Sequence, residues 1–309
     1  MTAPSPSPHA SMVSESPWRA SLRRLRRDRL ATGGAIFLAV LVLICVGFPL
    51  PHVSPYKESD QNLALKASPP SLAHWMGTDS LGRDITTRVC MGGRMSLLVG
   101  LVATLVAATI GVGYGLVSGM LGGRVDAVMM RIVDILYAFP FITLIIILTA
   151  VLGSRSGLVV DNIAGVDSQL FLLFAAIGAV EWLTMARVVR GQVLSLRNQE
   201  FILAARSYGA RTPDILWRHL LPNVIGQVIV YSSLTVPGVM LLEATLSFLG
   251  LGVQPPSSSW GTLILDGANE METSPWLLIF PGIFFSGTLL ALNLFGDGLR
   301  DAFDPKAGR

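Results

Sequence analysis

The sequence predicts an all-α, polytopic membrane protein with six transmembrane helices. Of its 309 residues, 51% are hydrophobic and only 14% are charged, whereas soluble domains carry roughly 25% charged residues. A helix needs about 20 mostly apolar residues to cross about 30 Å of hydrocarbon. Six stretches meet this requirement with at most one charged residue each: 31–50, 95–123, 135–154, 168–186, 219–242 and 273–296.

These spans form a transmembrane domain at residues 30–296, preceded by a basic, cytoplasmic segment at 1–29. The first 17 residues are rich in Pro and Ser, a composition typical of disorder. Residues 21–30 form either a short basic helix on the inner leaflet or, as we prefer, a stretch that only orients the first span. The remaining segments are an external loop at 51–94, a long loop at 187–222 and a tail at 297–309.

The basic residues predict that both termini are cytoplasmic. Six spans place the termini on the same side, and with the N-terminus inside, 17 of the 23 Lys and Arg residues lie on the inner side. This asymmetry follows the positive-inside rule. A basic stretch before an apolar run also resembles a signal peptide, but the run is about 20 residues long and no small-residue cleavage site follows it.

The composition excludes most soluble enzymes. The lysines are Lys57, Lys66 and Lys306, and none follows a glycine as a Walker A phosphate loop requires. The two cysteines and four histidines form neither C-x-x-C nor H-E-x-x-H, so we expect no metal site. The net charge of +3 is too small and scattered to predict a nucleic-acid partner.

Residues 198–222, which we name the elbow, have the pattern of two short helices joined by a glycine. Residues 198–208 carry apolar side chains at helical spacing, and Gly209 suits the left-handed position that ends a helix. Thr212 is a good N-cap, Pro213 fits the first helical position, and Asp214 favours the positive helix start. We expect a second helix at 213–220, ended by Leu221 and Pro222.

The second short helix is expected to present a charged and aromatic surface to the cytoplasm. The side chains on its exposed face are Arg211, Asp214, Trp217 and Arg218. A helix–glycine–helix unit on the inner side of a membrane domain suits docking of a rigid helix into a groove on a soluble partner.

The elbow resembles the EAA loop of ABC importer permeases, whose pattern is E-A-A-x3-G-x9-I-x-L-P. The matching residues are Ala204, Ala205, Gly209, Leu221 and Pro222. Two positions depart from the pattern: Leu203 replaces the Glu, which leaves the role of that position open, and His219 replaces the Ile. The segment 218–223, R-H-L-L-P-N, is similar to that of the peptide-permease branch.

The resemblance extends over nearly the whole chain. Further matching stretches are 17–56, 77–84 (GTDSLGRD), 186–192 (ARVVRGQ), 243–252 (EATLSFLGLG), 259–261 (SWG) and 293–305 (NLFGDGLRDAFDP). Together they resemble the C-type permease subunit of dipeptide, oligopeptide or nickel importers.

The resemblance implies a pore subunit that is not itself an enzyme, in the cytoplasmic membrane of a prokaryote. Its implied partners are a homologous B-type permease, one or two P-loop ATPases on the elbow, an extracytoplasmic solute-binding protein and membrane lipid. ATP and Mg²⁺ would be bound by the ATPases, and no cofactor by this chain. The implied solutes are dipeptides and short oligopeptides.

Three alternatives stay open at this point. The same machine is able to carry nickel chelates, glutathione or other small polar solutes. A secondary carrier working alone would show inverted repeats and buried ion-coupling carboxylates, and the candidates for the latter are only Glu181 and Glu243. An intramembrane enzyme would need a catalytic or metal-binding set within the spans, where the sequence offers at most His219, at an edge.

Four residues inside the spans or at their ends are candidates for the pore or for a hinge. Pro237 and Gly238 are expected to break or kink the fifth span, and we favour a static kink over a hinge. Glu243 and Glu181 are too costly to face lipid. For Glu243 we favour pairing with a neighbouring arginine or a backbone group over contact with a peptide amine.

Three glycines repeat every fourth residue in the second span: Gly111, Gly115 and Gly119. A stripe of small residues lets another helix approach closely. Packing within the chain and contact with the sister permease are equally compatible with the pattern.

Overall fold

The computed structural model describes residues 17–48, 54–140, 142–147, 162–163, 166–255 and 257–303. In chain order the helices are α1 (Pro17–Arg27), α2 (Arg29–Gly47), α3 (Ile85–Leu121), α4 (Gly123–Ala138), α5 (Ser168–Leu196), α6 (Glu200–Ser207), α7 (Thr212–Asp214), α8 (Leu221–Phe248), α9 (Trp260–Asn269) and α10 (Trp276–Phe303). A 3-10 turn at Leu63–Leu65, a π-helical segment at Ile215–Leu220 and the strands β1 (Asn162–Ile163) and β2 (Val166–Asp167) complete the regular structure. Residues 142–147 are also helical.

The described residues are almost entirely helical, which confirms the predicted all-α membrane fold. The two short strands pair antiparallel just before α5. Four stretches of helix in the described part are long and apolar enough to cross a membrane: Arg29–Gly47, Ile85–Leu121, Thr212–Phe248 and Trp276–Phe303. The count of six spans stays a prediction, because much of the third predicted span lies outside the described residues.

The described part of the basic N-terminal segment is helical. This part forms α1 from Pro17. The expectation of disorder concerns residues 1–17, and all of these except Pro17 lie outside the described residues. The stretch 21–30, for which a short basic helix is one of the two alternatives, is helical on both sides of a break at Asp28. Its carboxylate accepts hydrogen bonds from the backbone N–H groups of Leu30 (2.9 Å) and Ala31 (3.2 Å), and thereby starts α2.

The external loop is shorter than predicted because α3 begins ten residues before the expected span. Asp84 caps α3 by accepting the backbone N–H of Thr87 at 2.8 Å. Arg88 and Arg94 therefore lie on the helix instead of in the loop. From here on, the external loop denotes residues 54–84, the described part before α3.

Two further boundaries differ from the prediction. The last helix continues to Phe303, so the predicted tail at 297–309 begins as part of α10. Ile135, the predicted start of the third span, lies inside α4, which begins at Gly123. Helical structure stops at Phe139 and Pro140 and returns at 142–147, since proline provides no N–H and disfavours helix in the residue before it.

Helices α3 and α5 pack closely against each other, and the glycine stripe makes this approach possible. A Cβ atom built on Gly115 would lie 2.6 Å from the carbonyl oxygen of Ala186, and one on Gly119 would lie 2.7 Å from Cβ of Val193. Gly111 similarly abuts Met185. The stripe is therefore a packing surface within the chain, which decides between the two alternatives left open by the sequence.

The helices have two distinct ends. At one end, Gly298 of α10 packs on Ala31 of α2, and Gly226 of α8 faces Phe303. The starts of α2 and α8 and the last turns of α10 thus lie together, beside the elbow. At the other end, Trp276 donates its indole N–H to the carbonyl of Thr78 in the external loop at 3.3 Å. The elbow and the external loop therefore lie at opposite ends of the molecule.

Candidate functional site: the elbow and the helix that continues it

The first half of the elbow is α6, which ends at Gly209 as predicted. Gly209 has a φ of +82°, a value that favours glycine. The N–H of Ala210 bonds to the carbonyl of Ala205 at 3.0 Å, and that of Gly209 to the carbonyl of Arg206 at 2.9 Å. This pair of bonds is the Schellman motif, which satisfies the free carbonyls at a helix end. The helix itself is shorter than the predicted 198–208.

The second half of the elbow differs from the prediction in two ways. Thr212 is the first helical residue and not the N-cap; Arg211 precedes the helix, and its side chain makes no capping bond. Helical structure also does not stop at Leu221 and Pro222. It continues from Thr212 through the π-helical segment Ile215–Leu220 into α8.

The π-helical segment explains how Pro222 is accommodated within a continuous helix. In an α-helix the ring of Pro222 would collide with the carbonyl of Arg218. Here the N–H of Leu221 bonds to the carbonyl of Leu216, five residues back, and this wider turn lies directly before the proline. The local change to a π-helix therefore lets the helix continue past two residues that normally end one.

Three buried side chains fix the elbow to the membrane domain. Ile202, Ile215 and Leu220 are fully buried. They join a cluster that includes Leu116 of α3 and Val193 of α5. The elbow is thereby held on the ends of two long helices, and a displacement of the elbow has to displace those helices as well.

The outer surface of the elbow is exposed and combines arginines with apolar side chains. Trp217 is 66% exposed and Tyr208 is 91% exposed. Surfaces of this composition are typical of protein interfaces, where Trp, Tyr and Arg contribute strongly. The elbow residues that the sequence predicts to couple this chain to the ATPases are mostly exposed. Exposed are Ala204, Gly209, Arg211, Pro213, Asp214, Trp217, Arg218 and Pro222, and partly buried are Ala205, His219 and Leu221.

Leu203, at the position of the family's Glu, is 48% exposed on the same surface. It therefore adds apolar area to the elbow and offers no carboxylate there.

Glu243 is bound by serine hydroxyls, so the expected pairing with an arginine or a backbone group is wrong. It is 0% exposed. Its carboxylate accepts hydrogen bonds from Ser247 and Ser259, both at 2.7 Å, and from Ser96 at 3.5 Å. Buried polar groups require such partners, and these hydroxyls tie α8 to α3 and to the start of α9. Burial also leaves no room for a peptide amine.

The other candidates inside the spans occupy different surroundings. Pro237 is buried and lies within an uninterrupted α8, so the expected break is absent. Whether the helix is statically kinked or hinged here stays a prediction. Gly238 is exposed, and a Cβ atom there would meet nothing within 4 Å. Glu181 is partly buried on α5.

Two arginines of the 187–222 loop pair with α4, which the sequence did not predict. Arg190 makes a bidentate contact with Asp126, including Nη2 to Oδ2 at 2.6 Å. This guanidinium lowers the pKa of the Asp126 carboxyl, with a further contribution from the Ser118 hydroxyl, against the effect of burial. Arg187 binds Asp134 at 2.8 Å. Both partners lie more than 50 residues away in the chain, so no local pattern indicates them.

Charged residues of the external loop and of the first turn of α3 pair with one another. Asp79 accepts from Arg83 at 2.7 Å and from Arg88 at 2.8 Å, and His74 contacts Asp84 at 2.9 Å. Nearby, burial raises the pKa of the Glu58 carboxyl, although a hydrogen bond from Ser258 opposes the shift.

The described residues contain no group of three or more His, Cys, Asp or Glu side chains that is arranged to hold a metal ion. Cys45 and Cys90 are both buried, as expected of small apolar residues.

The chain matches two protein families. Residues 111–309 match the family described as binding-protein-dependent transport system inner membrane component. Residues 16–70 match the family described as the N-terminal TM domain of oligopeptide transport permease C. The two matches together include the elbow, the external loop up to residue 70 and all of α8.

Curated relatives are similar along almost the whole chain. The oligopeptide transport system permease protein OppC of Escherichia coli (strain K12) is 48% identical over 94% of this chain and 91% of its own length. OppC of Haemophilus influenzae is 45% identical over 94% of this chain and 88% of its own. The dipeptide transport system permease protein DppC of Bacillus subtilis is 43% identical over 93% and 85%. The chain therefore belongs to the family of binding-protein-dependent transport system inner membrane components.

Proposed function

We propose that this chain is the C-type permease subunit of an ATP-binding-cassette importer for dipeptides and short oligopeptides. The observation that carries the proposal is the elbow, an exposed arginine- and aromatic-rich surface that is rigidly attached to the helix bundle. The peptide class is supported by the names of relatives that share more than 40% of their residues with it.

The helix that continues from the elbow suggests how ATP binding acts on the pore. A partner that moves Trp217 also moves the helix that starts at Thr212, since helical structure runs from there to Phe248 without interruption. This helix carries Pro237 and Gly238 in its middle and Glu243 near its far end. ATP needs only to bind one arrangement of the complex more tightly than the other for this movement to shift the population.

The proposed complex assigns the remaining roles to other subunits. Two P-loop ATPases bind ATP and Mg²⁺ and dock on the elbows, while this chain hydrolyses nothing and holds no cofactor. A homologous B-type permease completes the pore, and an extracytoplasmic binding protein delivers the solute. The elbow and both chain ends then face the cytoplasm of a prokaryote.

The test is purification of the tagged chain from its native membrane in mild detergent, with two tryptophan variants. Trp217 and Trp75 are each 66% exposed, but Trp217 lies on the elbow and Trp75 on the external loop. We expect the wild type and Trp75→Ala to co-purify with a second permease and a P-loop ATPase. We expect Trp217→Ala to retain the permease and lose most of the ATPase, because an exposed Trp at an interface contributes about 2 kcal/mol or more.

A chain that purifies alone contradicts the proposal and favours the secondary carrier. ATPase recovery that is equal in both variants contradicts docking of the ATPase at Trp217. If the complex assembles, uptake of a labelled dipeptide by the reconstituted importer identifies the solute class. Uptake of glutathione or a nickel chelate without dipeptide uptake would show that the solute assignment is wrong.

A further inference from the structure

A cavity of about 530 Å³ lies at the external end, between the external loop and the connection from α8 to α9. Its volume is within the range of roughly 300–1,000 Å³ that is typical of small-molecule sites. The external loop contributes Gln61 and Arg83, and the connection contributes Gly250, Gly252 and Ser257. A smaller cavity of about 150 Å³ shares Arg83, Arg88 and Asp266 with it. The two cavities thus meet at a cluster of charged side chains.

Two arginines in this cluster share a single well-bonded carboxylate. One oxygen of Asp79, Oδ2, accepts from both Arg83 and Arg88. The other, Oδ1, accepts the backbone N–H groups of Leu81 and Arg83, each at 2.9 Å. Asp79 is therefore fully engaged, and the charge of the second guanidinium needs another partner.

The other carboxyl groups that interact with Arg88 are those of Glu58 and Asp266. Glu58 accepts the hydroxyl of Ser258, and the contact of Arg88 with Asp266 is loose. Arg88 Nη2 lies 3.6 Å from Asp266 Oδ2, and the Asp266 side chain is 52% exposed. Arg88 itself is only 5% exposed. Its Nε is one of two buried side-chain polar atoms in the described part of the chain that have no hydrogen-bond partner. Leaving such a donor unpaired costs about 1–3 kcal/mol, so Arg88 retains an unused capacity to bind an acceptor.

We propose that this cavity binds a small zwitterion, with its carboxylate at Arg88 and its ammonium group at Asp266. The zwitterion replaces the loose contact between the two side chains with two direct charge-assisted hydrogen bonds. Because the ligand is neutral overall, the charge balance of the cluster is unchanged. The inference rests on the proposed function, because a short peptide with free ends is such a ligand. The cavity lies at the end of the molecule that is opposite the elbow.

The rest of the cavity lining mixes neutral polar groups with apolar side chains, including Leu81, Val253 and Leu265, which suits peptides of varied side chains. Gly250 and Gly252 present backbone, and Gln61, Ser257 and Thr262 present amide or hydroxyl groups. Ser247 also lines the cavity and donates to the buried Glu243. Ligand in the cavity therefore touches the helix that continues from the elbow.

The test is equilibrium binding of radiolabelled dialanine to the purified permease–ATPase complex in lipid nanodiscs, without the binding protein. We expect saturable binding to the wild type. Blocking either end of the peptide, as in N-acetyl-dialanine or dialaninamide, weakens binding about tenfold or more, since each loses one charge-assisted bond. These peptide variants probe both ends without altering the fold.

Asp266→Asn probes the ammonium site, and its exposed side chain makes the variant compatible with folding. We expect it to weaken dialanine binding about tenfold and to leave the residual binding of N-acetyl-dialanine unchanged. Glu272→Gln is the matched control, because Glu272 is exposed on the loop after α9 and lines neither cavity. It removes the same charge and leaves binding as in the wild type.

Three results would overturn the proposal. These are no saturable binding to a complex that hydrolyses ATP, equal binding of free and blocked peptides, and equal loss in the Asp266 and Glu272 variants. Each leaves the importer assignment intact, because that assignment depends on co-purification of the ATPase with the elbow.

Discussion

Gly209 is the residue on which the shape of the elbow depends. Its positive φ brings the N–H groups of Gly209 and Ala210 back onto the last carbonyls of α6. A residue with a Cβ atom resists this conformation by roughly 1–2 kcal/mol. A Cβ atom on Gly209 would nevertheless meet nothing within 4 Å, so the backbone conformation, and not space, makes glycine necessary.

Gly209→Val is therefore expected to deform the elbow without disturbing insertion. Uptake by the reconstituted importer should fall several-fold while the complex continues to hydrolyse ATP. Gly191→Val is the control: Gly191 has equally open surroundings but lies within α5, where Val is slightly preferred to Gly. The test measures dipeptide uptake and ATP hydrolysis on the same preparations of both variants. Unchanged uptake in Gly209→Val would contradict the role assigned to Gly209.

Glu243 is a structural residue in this arrangement, and its substitution tests that view. Glu243→Ala leaves the hydroxyls of Ser247 and Ser259 without their acceptor and opens a cavity, so we expect a loss of about 2–4 kcal/mol. Glu243→Gln keeps an acceptor oxygen and nearly the same volume, so its loss should be much smaller. Thermal unfolding in detergent compares the two. Equal stability of the Ala variant and the wild type would mean that the serine contacts contribute nothing.

Helices α3 and α5 show why small residues matter in a membrane. Lipid tails are as apolar as the side chains, so the hydrophobic effect does not hold two helices together there, and close packing does. The glycine stripe of α3 brings the two helix backbones near each other. On the facing helix, Gly178 of α5 packs in the same way on Ala103 of α3. The buried side chains of the elbow pack against the same two helices, so the packing of α3 on α5 also determines how firmly the elbow is held.

Substitution of two glycines on α3 distinguishes the effect of close helix packing on stability from the effect of helix propensity. Gly115→Ala places a methyl group 2.6 Å from the Ala186 carbonyl oxygen, and such overpacking typically costs about 1–3 kcal/mol. Gly113→Ala lies two residues away, meets nothing within 4 Å, and is expected to be neutral or slightly stabilising. The melting temperatures of the two variants measure this difference in stability. A Gly115 variant as stable as the Gly113 variant would show that α5 does not need the close approach.

Across the whole molecule, local signals predicted local structure, and contacts between distant residues were missed. Gly209 and the exposure of Trp217 follow from patterns within a few residues. Ser96 lies 147 residues before the Glu243 it contacts, and a sequence pattern contains no information about such a pairing. The π-helical segment was missed for another reason, since Leu221 and Pro222 are a valid stop signal that the surrounding packing overrides.

The two ends of the molecule give a final prediction, about its orientation in the membrane. Ser207 on the elbow and Ser59 on the external loop are both exposed and lie at opposite ends. The native cysteines are buried, so a membrane-impermeant maleimide should give little background. In intact cells we expect Ser59→Cys to be labelled and Ser207→Cys to be protected. In inside-out vesicles stripped of peripheral proteins the pattern should reverse, because 17 of the 23 basic residues fall on the elbow side of the predicted topology. Labelling of Ser207→Cys from outside intact cells would show that the orientation is opposite to the predicted one. The elbow could then not bind an ATPase that uses cytoplasmic ATP.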